Sequence, residues 1–257
     1  MKYKISFIIK LINIIKAIFW KNSDVIYVNS NKKIFDQNGI DEIHSIKKSK
    51  FIINESKVSK LGLKFNKVHL KKMKIDLYHI SRNLQYKPRI GYAGYASTPF
   101  AIYDGYYLGD NHDYVLFDTK KESSGFYKID FSRKRISKNT ITIPNDVDEI
   151  CLLVSSSYII NKETVKSCYT YEYNNIIIDK ITLEYLNKTF YFISDFLDEC
   201  RNKDIKIIHL YSSSRQPVSF IIGTAIQAHH PEVMAYEFEN GNYNWALDVQ
   251  KGILNEG

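Results

Sequence analysis

The chain has 257 residues, 44% of them hydrophobic and 14% aromatic, which excludes a disordered chain and allows one large domain or two small ones. Thirty-six Lys and Arg against 28 Asp and Glu give a formal net charge of +8, a balance that favours anionic partners: nucleotides, nucleic acid or an anionic membrane. Cys151, Cys168 and Cys200 show no CxxC spacing, so neither a disulfide framework nor a zinc site is expected, and a reduced cytoplasm is the simplest compartment.

Residues 1–22 read as a helix. Ser6, Lys10, Asn13 and Lys16 recur at spacings of three or four within a run of Ile, Leu, Phe and Trp, which sets them on one narrow polar stripe. A basic helix with a broad apolar face has the composition of a membrane-interface helix; a helix packed against protein fits equally. A spanning helix needs about 20 predominantly apolar residues, and a secretory signal needs a small-residue cleavage site. The run is shorter and broken by lysines, and AIFWKNSD offers no such site.

Residues 23–71 read as a short β-rich connecting segment, with VIYV, KIF and KFIIN as strands and Gln37-Asn38-Gly39 as a hairpin turn. IDLYHI at 75–80 alternates in polarity and is expected to be a strand. Arg82, Lys87 and Arg89 follow it, as phosphate contacts or as solvated loop cations. Residues 90–130 then give a strand, the Pro-led turn Ala96-Ser97-Thr98-Pro99, a helix and a second strand. Arg133, Lys134, Arg135 and Lys138 make a basic, exposed connection to an apolar strand at 150–154, which ends in Ser155, Ser156 and Ser157.

Over 181–200, Leu183, Leu186, Phe190, Ile193, Phe196 and Leu197 keep a helical period. Residues 207–248 repeat the earlier unit. Ile207, Ile208, Leu210 and Tyr211 form a buried strand, Ser212-Ser213-Ser214-Arg215-Gln216 a polar turn, and Pro217 opens a helix that runs to Ile226. A strand from Val233 to Tyr236 follows. A turn rich in hydroxyls, at the carboxyl end of a strand and the amino end of a helix, suits phosphate or nucleotide edges.

Sliding the chain so that Pro99 falls on Pro217 also sets Gly105 on Gly223, Val115 on Val233 and Leu116 on Met234. Further along, Tyr127 meets Trp245, Ile129 meets Leu247 and Asp130 meets Asp248. The matches fall on the turn proline, the helix glycine, the second strand and the closing aromatic, where a shared backbone would demand them.

This pattern of apolar strand, Pro-led turn, small-residue helix with a central glycine, apolar strand and late aromatic resembles the carboxyl-terminal half of SAVED domains. Those are the cyclic-oligonucleotide sensors of bacterial antiphage signalling (CBASS), and ICLLVSSSYII at 150–160 is similar to the family's mid-domain strand. The resemblance covers residues 72–248. It implies an α/β fold of two fused Rossmann-like, CARF-like halves in a pseudo-twofold relation, at about 72–135 and 145–257, with the amino-terminal helix and β-rich segment outside them. It implies a cyclic di- or trinucleotide as ligand and no cofactor. In the expected pocket Ser213, Ser214, Arg215 and Gln216 line one side, Ser97 and Thr98 the other, and Ser155, Ser156 and Ser157 lie between. Hydroxyls and backbone N–H groups would take phosphates, Arg215 would supply charge, and Tyr95 or Tyr86 would stack on a base.

The resemblance further implies a homo-oligomer formed on ligand binding; clustering would multiply weak membrane contacts of residues 5–20, so the expected output is membrane disruption by assembled amino-terminal helices. Two alternatives stand: a stand-alone sensor or sequestering subunit acting through a separate effector protein, and a ring nuclease using Arg215 or His209. The expected location is the cytoplasm, peripheral to or inserted in the inner membrane if the first helix engages it. No HExxH, GxSxG, Walker A or GxGxxG sequence occurs, so neither enzymatic activity nor a metal is expected. His229 and His230 read as helix-end residues, His209 as a satisfied core histidine, and Asp130 and Asp248 as structural caps.

Overall fold

In the computed structural model the described residues are 24–30, 50–55, 63–82, 89–119, 126–135, 137–177 and 179–256. The expectations for residues 1–22, KIF, Gln37-Asn38-Gly39, Tyr86 and Lys87 fall outside them. Among the described residues no helix is long and apolar enough to cross a membrane.

Two sheets form, one per half. The first is built from β1 (Asp24–Ser30), β2 (Lys50–Glu55), β3 (Arg89–Tyr95), β4 (Tyr114–Thr119) and β5 (Phe126–Phe131), in the order β2-β1-β3-β4-β5. The second uses β6 (Glu149–Ser155), β7 (Tyr169–Asn174), β8 (Ile207–Ser213), β9 (Glu232–Glu239), β10 (Asn242–Asp248) and β11 (Ile253–Glu256), in the order β7-β6-β8-β9-β10-β11. In each half the first four strands are parallel and the next is antiparallel. Each half therefore has the doubly wound order 2-1-3-4-5, whose connections reverse direction beside its first strand. The segment read from sequence as a connection thus supplies two strands of the first sheet.

Helix α1 (Leu63–Ser81) leads into β3, α2 (Thr98–Leu108) joins β3 to β4, α3 (Leu183–Asn202) leads into β8, and α4 (Gln216–Ala225) joins β8 to β9. The helix α1 corrects the expected strand at 75–80. IDLYHI alternates over six residues, but Leu70, Met73, Leu77 and Ile80 are the buried set, and their spacing of three or four is helical. Ile75 and Tyr78, which made the alternation, face outward. In α3, Thr182 caps the amino end by accepting from Tyr185 N at 3.1 Å, and Leu186, Phe190, Ile193, Phe196 and Leu197 are buried as their period predicts.

The halves are joined by an exchange of helices. On α4, Phe220 stacks on Tyr92 of the first sheet, ring centres 4.2 Å apart, and meets Tyr114 edge-on at 5.0 Å. On α2, Phe100 packs against Trp245 of the second sheet at 5.4 Å. One apolar core, from Tyr27 to Leu254, runs through both halves. Where the two helices cross, backbone touches backbone. A Cβ on Gly105 would lie 1.9 Å from Phe220 O, and one on Gly223 would lie 1.9 Å from Ile102 O. Both distances are far inside van der Waals contact, so only glycine fits at either position, for the same reason in each half.

The repeat holds in space with one slip. Ile90 pairs with Tyr114, whereas Ile208 pairs with Val233, so β9 is displaced by one residue from the ungapped sequence match. Beyond it the match returns: Asp130 lies opposite Val115 as Asp248 lies opposite Met234.

One further expectation is corrected. Cys151 in β6 is bonded to Cys168, just ahead of β7, with Cα atoms 6.1 Å apart, while Cys200 is free and buried. The two partners are 17 residues apart and meet because β6 and β7 are neighbouring parallel strands, a juxtaposition that no short cysteine motif announces. The basic connection after β5 is exposed at Lys134, Arg135 and Lys138, as expected, and is tied down at several points. Arg135 is ion-paired with the buried Asp195, whose other oxygen accepts from Asn139 N and Nδ2, and Lys134 N donates to Asn187 Oδ1.

Candidate functional site

Parallel strands of open α/β sheets place their carboxyl ends, and the helix starts that follow, on one edge. Here the β3–α2 turn of the first half meets the β8–α4 turn of the second. Gln216 Nε2 donates to Ala96 O at 2.6 Å, and Gln216 Oε1 lies 3.5 Å from the Tyr92 hydroxyl. Thr98 N, at the start of α2, donates to Glu237 Oε2 of β9 at 3.1 Å. On the other side Arg215, just ahead of α4, is ion-paired with Asp118 of β4 and donates to Thr119 O at 2.9 Å and Asp179 O at 3.1 Å. Each half thus sends one strand-borne acid, Asp118 or Glu237, to the helix-starting turn of the other.

Beside the Arg215–Asp118 pair lies a cleft of about 190 Å³, lined by Gly94, Phe117, Asp118, Thr119, Phe126, Ser214, Arg215 and Gln216. A Cβ on Gly94 would come within 2.6 Å of both Gln216 Oε1 and the Tyr92 hydroxyl, so a larger residue there would displace the Gln216 side chain. Asp118 is buried, and burial pushes its carboxyl above the ordinary value. The Tyr127 hydroxyl, which donates to Asp118 Oδ2 at 2.6 Å, and the Arg215 guanidinium pull the other way. Tyr127 is in turn pushed up to about 12 by burial and by Asp118, and its oxygen accepts from Ile181 N at 2.9 Å.

The residues expected at the site divide into two groups. Ser214, Arg215 and Gln216 line the cleft, and Ser97 and Thr98 stand across the Gln216–Ala96 contact from it. Ser155, Ser156 and Ser213 are buried and occupied: Ser155 Oγ accepts from Ile160 N, Ser156 Oγ from the Tyr185 hydroxyl, and Ser213 Oγ from Ser156 N and Tyr158 N. Ser157 is exposed, with its N–H on Ser213 O at 2.6 Å. The hydroxyls of Ser155, Ser156 and Ser213 hold strand ends together, and none of the three lines the cleft. The stacking expected of Tyr95 or Tyr86 lies outside what the described residues cover, although Tyr95 ends β3.

Nothing in composition or spacing singled out Gly94, Phe117, Asp118, Thr119 or Phe126. Asp118 carried one available signal. Once the one-residue slip is allowed, it corresponds to Glu237, an acid on the same strand of each half, facing Tyr127 and Trp245 respectively.

Two other clusters are polar without joining the cleft. His209 is buried in β8, with Nδ1 2.9 Å from the Tyr236 hydroxyl and Nε2 3.1 Å from both Glu149 Oε2 and Lys166 Nζ; burial lowers its pKa. It is the satisfied histidine its strand position suggested. Asp198, His229 and His230 bring ligand atoms within 4.8 Å of one another. His230 Nδ1 accepts from Gln227 N at 3.0 Å, which places the ring proton on Nε2, 3.6 Å from Asp198 Oδ1. That proton occupies the position a cation would need, so the group serves the turn after α4.

Strand order, crossed helices and a cleft shared by two helix-starting turns define a fused pair of Rossmann-like units with one composite edge. The profile of the SAVED family, the SMODS-associated and fused to various effectors sensor domain, matches residues 75–249. The chain belongs to this family. Among solved structures it is similar to an Acinetobacter baumannii Cap4 SAVED/CARF-domain containing receptor with the cyclic trinucleotide 2'3'3'-cAAA. The TM-score is 0.57 at 14% identity, over 86% of this chain and 50% of that one. The same receptor with 3'3'3'-cAAA gives 0.55 at 13% identity, over 85% and 49%. A Moraxella osloensis Cap4 receptor gives 0.51 at 15%, over 86% and 48%. At these identities the likeness speaks for the fold, and this chain spans about half the length of those receptors. No curated protein matches it.

Proposed function

We propose that this chain senses a cyclic oligonucleotide, a di- or trinucleotide, in the cleft between its halves. One observation carries the reading: polar turns from both halves meet at the carboxyl edge of the sheets, Gln216 Nε2 on Ala96 O, with Arg215 beside them. A ring of phosphates and bases presents anionic and polar groups on more than one side, and a composite edge with two helix starts answers that form. Arg215 is held by Asp118 and two backbone carbonyls; an incoming phosphate would compete with Asp118 for the same guanidinium. Ser214, Gln216, Ser97 and Thr98 would supply neutral donors. The solved Acinetobacter baumannii receptors, with cyclic trinucleotides, support this ligand class. Bound chains would then self-associate, and the output would pass through the amino-terminal segment or through a separate effector protein, without bond-breaking chemistry by this chain.

Calorimetry with a panel of cyclic di- and trinucleotides, and a linear trinucleotide as control, tests this. Saturable binding of one cyclic species is expected, weakened about 10- to 100-fold by Arg215→Met and by Gln216→Ala. Absence of binding across the panel by folded protein, or undiminished binding in both variants, would contradict the proposal. Light scattering on the same samples reads self-association, and chromatography of recovered ligand would expose a ring nuclease.

A further inference from the structure

We infer that Tyr158 is a base-stacking platform on the second-half rim of this cleft, an inference that rests on the proposed cyclic-oligonucleotide reading. The argument begins with topology. In the second sheet β6 is flanked by β7 on one side and β8 on the other, so the connections diverge between β6 and β8. The crevice at the carboxyl ends of two such strands is where open α/β sheets take ligands. Tyr158 follows β6 directly into that crevice.

Its backbone is pinned from both directions. Tyr158 N donates to Ser213 Oγ at 3.4 Å, and Ser213 Oγ donates to Tyr158 O. Ser157 N is held on Ser213 O at 2.6 Å, and Ile160 N on Ser155 Oγ at 3.2 Å. The serines at the ends of β6 and β8 therefore fix the main chain at this point. The residue is nevertheless 52% exposed. A rigid backbone presenting an open aromatic face loses little entropy on stacking, which is what a base platform requires.

The backbone contact places the residue beside the cleft, because Ser213, which anchors Tyr158, adjoins the cleft-lining Ser214. Glu237, the acid that accepts from Thr98 N, lies on β9, the strand next to β8. On the neighbouring strands Tyr211 meets Tyr243 edge-on at 4.6 Å, and Phe238, 44% exposed, packs on Tyr243 at 5.1 Å. Arg215 lies two residues beyond the Ser213 that anchors Tyr158. Charge on one side and an aromatic face on the other match a phosphate joined to a nucleobase.

The test uses a cyclic trinucleotide of adenosine and an analogue with 2-aminopurine in place of one adenine, titrated into wild type, Tyr158→Phe, Tyr158→Leu and Ile159→Ala. Ile159 is a control, being 58% exposed beside the pinned residue. Stacking on a protein ring changes affinity about 5- to 150-fold per base. Tyr158→Leu, which keeps apolar bulk, should lose that factor and the quenching of 2-aminopurine fluorescence. Tyr158→Phe and Ile159→Ala should keep both, and thermal unfolding should confirm that all four chains are folded. Wild-type binding that Tyr158→Leu leaves unchanged, quenching included, overturns the inference and spares the cleft. The same unchanged binding with altered mass by light scattering also overturns it, by assigning the ring to a contact between copies. A wild type that binds neither compound contradicts the ligand reading itself, and this inference with it.

Discussion

The two halves of the molecule agree wherever backbone meets backbone and differ wherever polar side chains meet. Gly105 and Gly223 occupy equivalent places in α2 and α4 and face equivalent carbonyls, 1.9 Å from where a Cβ would stand. At the sheet edge the equivalence ends. The turn before α4 offers Arg215, which turns to Asp118; the turn before α2 has Ser97 in that place, and Glu237 instead accepts from Thr98 N. The first half also has Gly94 where the second has Ser212, which leaves room for Gln216. A duplicated framework therefore carries an unduplicated edge. Helix packing constrains both copies alike, whereas the edge is free to diverge toward one ligand with two unlike sides.

The most damaging way to break the comparison is at the shared crossing. Gly105→Ala and Gly223→Ala should each destabilise the whole molecule by about 3 kcal/mol or more, since the clash is with backbone and cannot be relieved by a rotamer. Urea unfolding should show similar losses for the two; loss at one site alone would contradict the equivalence.

Acid should come next. His69 in the first half lies against Phe100 at 4.9 Å, and among the described residues neither ring nitrogen has a hydrogen-bond partner. Burial holds its pKa down at about 4, and burial together with His229 does the same for His230 in the second half. Both are depressed relative to the unfolded chain, which binds more protons between pH 6.5 and 4. Stability is therefore complete above the unfolded value and is lost as pH falls through that window. The loss from His69 is on the order of 3 kcal/mol, and His69→Leu should remove that part of the urea-midpoint shift between pH 7 and pH 4.5. An unchanged pH dependence in the variant would refute the assignment.

The smallest effect is expected at the edge itself. Gln216→Ala removes one inter-half hydrogen bond and should cost about 1 kcal/mol without ligand, read in the same unfolding experiment. A loss as large as at Gly223 would mean that the edge holds the halves together, contrary to the division of roles drawn here.

Much of this was legible in the sequence, and the physical reasons differ by element. The repeat could be seen because the crossing glycines, the turn prolines and the equivalent closing aromatics Tyr127 and Trp245 are imposed by a shared backbone geometry. The helix α1 was misread because six residues of alternation hid a longer period set by Leu70, Met73, Leu77 and Ile80. The serines at the ends of β6 and β8 looked like phosphate ligands because composition reports hydroxyl groups but not their partners. Ser155, Ser156 and Ser213 are bound within the framework, which only neighbouring strands could reveal. Asp118 was hidden by the one-residue slip of β9, which sets it against Tyr236 in an ungapped match instead of against Glu237.

The measurement that tests the central claim most directly is hydrogen–deuterium exchange with and without the cyclic trinucleotide that binds. A ligand seated on the composite edge should protect the turn at 94–98 and the turn at 213–218 together, at the same ligand concentration, and lose protection of both when Arg215 is replaced. Protection confined to one half, or lying on the far side of the sheets, would contradict a site built jointly by the two halves.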